Sequence, residues 1–180
     1  REAVVIQMTW PGAPTLYYGD EAGVCGFTDP DNRRTYPWGK EDKDLIRFYK
    51  EMIAIHKKYP VLIDGSLLEL YHDYNLLAYG RFNIKEQIVV VLNNRNEKVH
   101  VEIPVWLTGM KRSEETEMVE IFRTDALSFL RQEGVHEVKA GILEMDLLPL
   151  SAVILHREET AQLEESSSYR YDSRRKEDRK

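Results

Sequence analysis

Hydrophobic positions change period along this chain, and the change divides it. Residues 3–8 (Ala-Val-Val-Ile-Gln-Met) read as the closing turns of a helix, stopped by Pro11 and Gly12. Leu16, Tyr17 and Tyr18, bounded by Pro14 and Gly19, make a short apolar run that predicts a buried strand over 15–18. From 42 to 59, Leu45, Phe48, Tyr49, Met52, Ile55 and Tyr59 recur at steps of three and four, which predicts an amphipathic helix. Asp42 is placed to cap it, Lys57 and Lys58 suit its C-terminal dipole, and Pro60 ends it.

Beyond residue 61 the apolar runs become short and β-prone: 67–71, 76–82, 87–92, 99–103, 118–122, 135–139 and 152–155. Polar turns such as Asn93-Asn94-Arg95-Asn96 separate them. Short strands with close turn signals predict an antiparallel β-sandwich over 62–156. The stretch 125–132 fits a helical turn or a strand equally well. Residues 157–180 are nearly all polar with balanced charge, and read as a loose tail or short helix. The expected fold is therefore mainly β, with a partly helical unit over 1–61 in front of the sandwich.

Composition narrows the function classes. The 180 residues are 42% hydrophobic and 31% charged with a net charge of −6, which argues against non-specific nucleic-acid or anionic-membrane binding. One cysteine, Cys25, excludes an internal disulfide and a zinc site built on several cysteines. No stretch approaches the roughly 20 apolar residues of a membrane span. The chain opens on Arg1-Glu2-Ala3 with neither Met nor a signal-peptide pattern, so a piece of a longer protein is expected. The compartment stays open, with the cytoplasm slightly favoured.

Most catalytic signatures are missing. His56, His72, His100, His136 and His156 are scattered, and no His-Glu-x-x-His motif, phosphate loop or Gly-x-Ser-x-Gly elbow occurs. Asp29-Pro30-Asp31-Asn32-Arg33 begins like a calcium loop but puts Arg33 where an oxygen ligand belongs. No metal and no cofactor is expected. Cys25 reads as a loop residue and His56 as a packing residue.

The informative segment runs from Gly12 to Trp38: an apolar run ending in Asp20 and Glu21, then a polar loop tipped with aromatics. Planar and bidentate polar groups hold sugar hydroxyls, and aromatic faces stack on pyranose rings. Composition alone also allows a plain surface loop. The segment resembles the eighth-strand region of the alpha-amylase family of glycoside hydrolases, within its neopullulanase, cyclomaltodextrinase and amylopullulanase branch. That branch carries Gly-x-Pro-x-aliphatic-Tyr-Tyr-Gly-Asp-Glu, present here as Gly12 to Glu21. An Asp-Pro-x-x-Arg loop and an aromatic follow, here Asp29 to Arg33 and Trp38.

The resemblance implies that 1–61 is the end of a (β/α)8 barrel and 62–156 the carboxy-terminal sandwich. By motif position, Asp29 and Arg33 would bind a glucose unit. It also implies that no catalytic residue lies in this chain. The family's Gly-x-Arg-x-Asp, Glu and Asn-His-Asp motifs belong to earlier barrel strands and do not occur here. Asp20 and Glu21 are not taken as an acid–base pair, because adjacent strand residues point to opposite faces. The expected partner is an alpha-glucan, cleaved with retention by the intact enzyme, with no nucleic acid and no membrane.

An alternative of another class is a stand-alone sandwich that binds carbohydrate or protein. Tyr71, Tyr74, Tyr79, Trp106 and Phe82 are its candidate platform, although Tyr71 and Tyr79 sit among Leu68, Leu70, Leu77 and Ala78 as core residues would. A bared strand at 15–18 and a bared helix face at 42–59 would make the isolated chain self-associate.

Overall fold

The computed structural model describes residues 1–113, 115–131 and 134–158. Helix α1 (Glu2–Thr9) is followed by a long irregular segment containing one 3-10 turn, Asp20–Ala22, and then by α2 (Lys43–Lys58) and α3 (Val61–Asp64). Nine strands follow among the described residues: β1 (Ser66–His72), β2 (Leu76–Phe82), β3 (Glu86–Asn93), β4 (Val99–Ile103), β5 (Thr116–Thr124), β6 (Phe129–Leu130), β7 (Gly134–Lys139), β8 (Ile142–Leu147) and β9 (Ser151–Glu158). A 3-10 turn, Val105–Thr108, links β4 to β5.

The strands form one antiparallel sheet in the order β1-β2-β3-β9-β5-β7-β8-β4, with β6 beside β5. Side chains of a strand alternate between faces, and the two faces here have different cores. Ala78, Val89, Val91, Met118, Val153 and Leu155 meet Val101, Ile103, Val138, Leu143, Met145 and Leu147 in one core. The sheet is thus folded over on itself, and the sandwich comes from a single continuous sheet. On the outer face, Tyr79, Ile88, Val90, Leu92, Phe122 and Ile154 pack against Val5 and Met8 of α1, Phe48 and Met52 of α2, and Leu62 of α3. Helical segment and sheet therefore share one core.

Helix α2 forms where its periodicity predicts. The Leu45 amide donates to Asp42 Oδ1 at 2.9 Å, capping the N-terminus, and His56, Lys57 and Lys58 occupy the last turn. Its apolar face is not bared, because the outer face of the sheet covers it. Residues 15–18 are a second correction: they form no strand, and Leu16, Tyr17 and Tyr18 are exposed. A strand needs a hydrogen-bonding neighbour, and none of the described strands pairs with this run.

Among the strands, β2 and β4 match their predicted bounds, and β8 lies where no strand is predicted. Its alternation of buried Leu143, Met145 and Leu147 with exposed Glu144 and Asp146 is plain in the sequence. The turn before it lacked the usual signal, since Ala140 (φ 51°) adopts the left-handed conformation ahead of Gly141 (φ 77°). The ambiguous stretch resolves into a turn at Asp125 and the two-residue β6. Tyr71 is exposed at 38%, not core, whereas Tyr79 is fully buried. Strand β9 takes in Arg157 and Glu158, and the rest of the charged tail lies outside the described residues. Among the described residues, no helix is long and apolar enough to cross a membrane.

Candidate functional site

Segment 19–41 is built from short-range hydrogen bonds, as a loop rich in Gly, Asp and Pro must be. The Val24 amide returns to Gly19 O at 2.9 Å, and the Asp42 amide reaches Ala22 O at 3.1 Å, tying the loop to the start of α2. Gly26 is where the loop closes on itself: a Cβ there would lie 2.6 Å from Asn32 Cα, so only glycine fits. Within the closure, the Asp31 amide donates to Thr28 O and the Arg33 amide to Pro30 O. The Asp29–Pro30 peptide is cis.

Asp31 staples this loop. Its Oδ1 accepts from Arg34 Nε at 3.1 Å and Nη2 at 2.7 Å, and its Oδ2 from the Phe27 amide at 2.9 Å. These bonds, the Arg34 contact foremost, hold the Asp31 carboxyl below the usual range. The Tyr18 hydroxyl donates to Arg34 O at 2.8 Å, which fastens the preceding run to the loop.

The two residues marked by motif, Asp29 and Arg33, come together. Arg33 Nε lies 2.7 Å from Asp29 Oδ1 and Nη2 lies 3.1 Å from Oδ2, a bidentate pair. Their side chains are 59% and 69% exposed. A pair so solvated adds little to stability. The guanidinium keeps donors unused by Asp29, and the carboxylate keeps lone pairs. Aromatics belong to the same segment: Tyr36 and Trp38 at 4.6 Å between ring centroids, Tyr17 and Tyr18 at 4.8 Å, and Phe27 and Trp38 almost wholly exposed. A hydroxyl-rich ring ligand suits this chemistry.

Of the adjacent carboxylates Asp20 and Glu21, Glu21 is used in local structure. They sit in the 3-10 turn, where Glu21 Oε2 accepts from the Gly19 amide at 3.1 Å. Burial first, and then the negative charges of Asp20 and Glu21, push the Tyr49 phenol up. The backbone at Asp20 and Glu21 is a turn and not a strand, so the alternation of strand faces does not apply to them. His56 is a packing residue, its Nδ1 2.8 Å from Met8 O. Cys25 is an exposed loop thiol. No group of three His, Cys, Asp or Glu among the described residues could hold a metal ion.

The sandwich aromatics differ widely in exposure. Tyr79 is buried, Tyr74 stands almost fully exposed on the turn between β1 and β2, and Trp106 is half-buried. The Arg112 guanidinium lies 3.6 Å from the Trp106 ring centroid, and Gly141 packs against the indole, where a Cβ would fall 2.5 Å from Trp106 Cβ. Two concavities of about 670 and 660 Å³ are lined chiefly by α2, β5, β7 and β9, and none of residues 10–41 lines either.

Comparison with known proteins settles the family. Residues 71–158 match the family described as "Alpha amylase, C-terminal all-beta domain". This chain carries the C-terminal all-beta domain of the alpha-amylase family. Neopullulanase 2 of Thermoactinomyces vulgaris is 37% identical over 159 residues, covering 86% of this chain and 25% of that protein. Amylopullulanase of Thermoanaerobacter thermohydrosulfuricus is 40% identical over 111 residues, 56% of this chain and 8% of its own length. The solved alpha-amylase of Geobacillus thermoleovorans, complexed with acarbose, shares the fold with a TM-score of 0.70 at 24% identity, over 88% of this chain and 33% of that one. The chain thus spans a quarter or less of the length of these two curated relatives.

Sequence reasoning did not single out the Asp31–Arg34 staple or the exposure of Tyr17 and Tyr18. The first had a signal in its three-residue spacing. The second had none, because an apolar run flanked by Pro and Gly looks the same whether or not a neighbouring strand covers it.

Proposed function

We propose that this chain is the carboxy-terminal portion of an alpha-glucan-cleaving glycoside hydrolase, one that hydrolyses alpha-glucosidic bonds in pullulan, cyclodextrins or maltooligosaccharides with retention. Residues 1–61 supply the end of its (β/α)8 barrel, and the C-terminal all-beta domain covers the apolar flank of α1 and α2. Asp29 and Arg33 bind a glucose unit. The chain contributes no catalytic carboxylate of its own. The names of the relatives support this reading, and the observation that carries it is the exposed bidentate Asp29–Arg33 pair beside a run of exposed aromatics.

Titration of the 180-residue protein with maltotriose, followed by amide NMR, tests the binding role. Shifts centred on Arg33 and Trp38 are expected, and Asp29→Ala or Arg33→Ala should remove them. Shifts confined to the β-sheet, or unchanged in both variants, would overturn the assignment. The protein on its own self-associates through Leu16, Tyr17 and Tyr18; a strictly monomeric mass by light scattering at high concentration would contradict that.

A further inference from the structure

We propose that Arg81 and Tyr79 of β2 are positioning residues for the sugar-binding loop, an inference that rests on the reading of Asp29 and Arg33 given above. Arg81 is fully buried, yet its hydrogen-bond partners are carbonyls and not a carboxylate. Nη1 donates to Thr9 O at 2.8 Å and Nη2 to Gly65 O at 2.9 Å. These carbonyls stand at the C-terminal end of α1 and just after α3, where the backbone dipole favours a cation. Burying a guanidinium is costly compared with a hydrophobic side chain of similar volume. What arginine adds is a fixed geometry between two chain segments distant in sequence.

Tyr79 acts on the same point. Its hydroxyl lies 2.5 Å from Thr9 Oγ1, and its ring meets Trp10 edge-on at 5.1 Å. His56 holds the neighbouring Met8 carbonyl at 2.8 Å, so α1 ends in a socket formed by the sheet and α2. From that socket a short chain of contacts leads to the loop. The Gln7 side chain donates to Thr15 O, and the Tyr18 hydroxyl donates to Arg34 O next to Arg33. The β-domain thereby sets where the loop sits, without touching sugar.

The test is the affinity of the 180-residue protein for maltotriose, read by NMR alongside thermal unfolding, in wild type, Arg33→Ala, Arg81→Met, Arg81→Lys and Tyr79→Phe. Arg81→Met keeps the buried volume and should fold cooperatively while weakening maltotriose binding roughly three- to tenfold. Arg81→Lys, with one ammonium for two carbonyls, should fall between. Unchanged affinity in both would overturn the inference. Should Arg81→Met fail to fold, Tyr79→Phe removes only the hydroxyl contact to Thr9, and undiminished affinity there is equally contrary. Loss of binding in Arg33→Ala with none in the β2 variants defeats this inference alone. No binding by wild type, or full binding by Arg33→Ala, defeats the sugar-site reading and this inference with it.

Discussion

Arg123 Nη2 lies 2.6 Å from Glu120 Oε2, and the Glu120 carboxylate is only 1% exposed. Arg123 Nε at 2.8 Å and His136 Nε2 at 2.9 Å complete its partners. Burial by itself would raise this carboxyl, but the hydrogen bonds and charges of Arg123 and His136 prevail and hold it at about 2, against an ordinary 4.5. A carboxyl depressed in the folded state stabilises above its unfolded value and loses that contribution as pH falls. Stability should therefore drop from pH 5 towards pH 2 by on the order of 3 kcal/mol from this group. Urea unfolding across that range checks it, and Glu120→Gln should flatten the dependence while costing about 3–5 kcal/mol near neutral pH.

The union of α2 with the sheet makes a separate demand. Met52 has no exposed surface and belongs to the core shared by helices and sheet. Met52→Ala should cost about 2–5 kcal/mol, because the cavity is walled by elements that cannot collapse together. Lys50→Ala on the exposed side of the same helix should stay within about 0.5 kcal/mol. Calorimetry on both variants separates burial from helix propensity.

The cap on α2 is testable by itself. Asp42→Ala removes the acceptor for the Leu45 amide and should cost about 1 kcal/mol, whereas Asp42→Asn or Asp42→Ser should recover most of it. Equal losses in all three, measured by chemical denaturation, would contradict a capping role.

Gly26→Ala addresses the loop. The added methyl would press on the Asn32 backbone at 2.6 Å, and backbone cannot yield as a flexible side chain does. The loop must open, separating Asp31 from the Phe27 amide. Because these residues are exposed, melting temperature should hardly change while maltotriose binding falls. A variant with unchanged sugar affinity would show that loop closure does not set the site.

The helix at 42–59 and most strands were legible because their periodicity reports burial directly, and burial is what the structure satisfies. Asp29 and Arg33 are singled out only through a motif, since nothing in spacing alone tells a carboxylate proposed to bind sugar from a loop staple such as Asp31. The strand expected at 15–18 failed for a physical reason: apolar content records a preference for burial, while strand formation requires a partner. Strand β8 was overlooked because Ala140 takes a conformation that sequence would assign to Asn or Gly. The Arg81 socket was beyond reach, as an arginine within an apolar strand gives no hint of which distant carbonyls it meets.

The most direct measurement is reducing-sugar release by the 180-residue protein from maltooligosaccharide, pullulan and cyclodextrin. No turnover is expected, since the family's Gly-x-Arg-x-Asp and Asn-His-Asp motifs do not occur in these 180 residues. Clear turnover that disappears in Asp20→Asn or Glu21→Gln would contradict this and place catalysis within the chain itself.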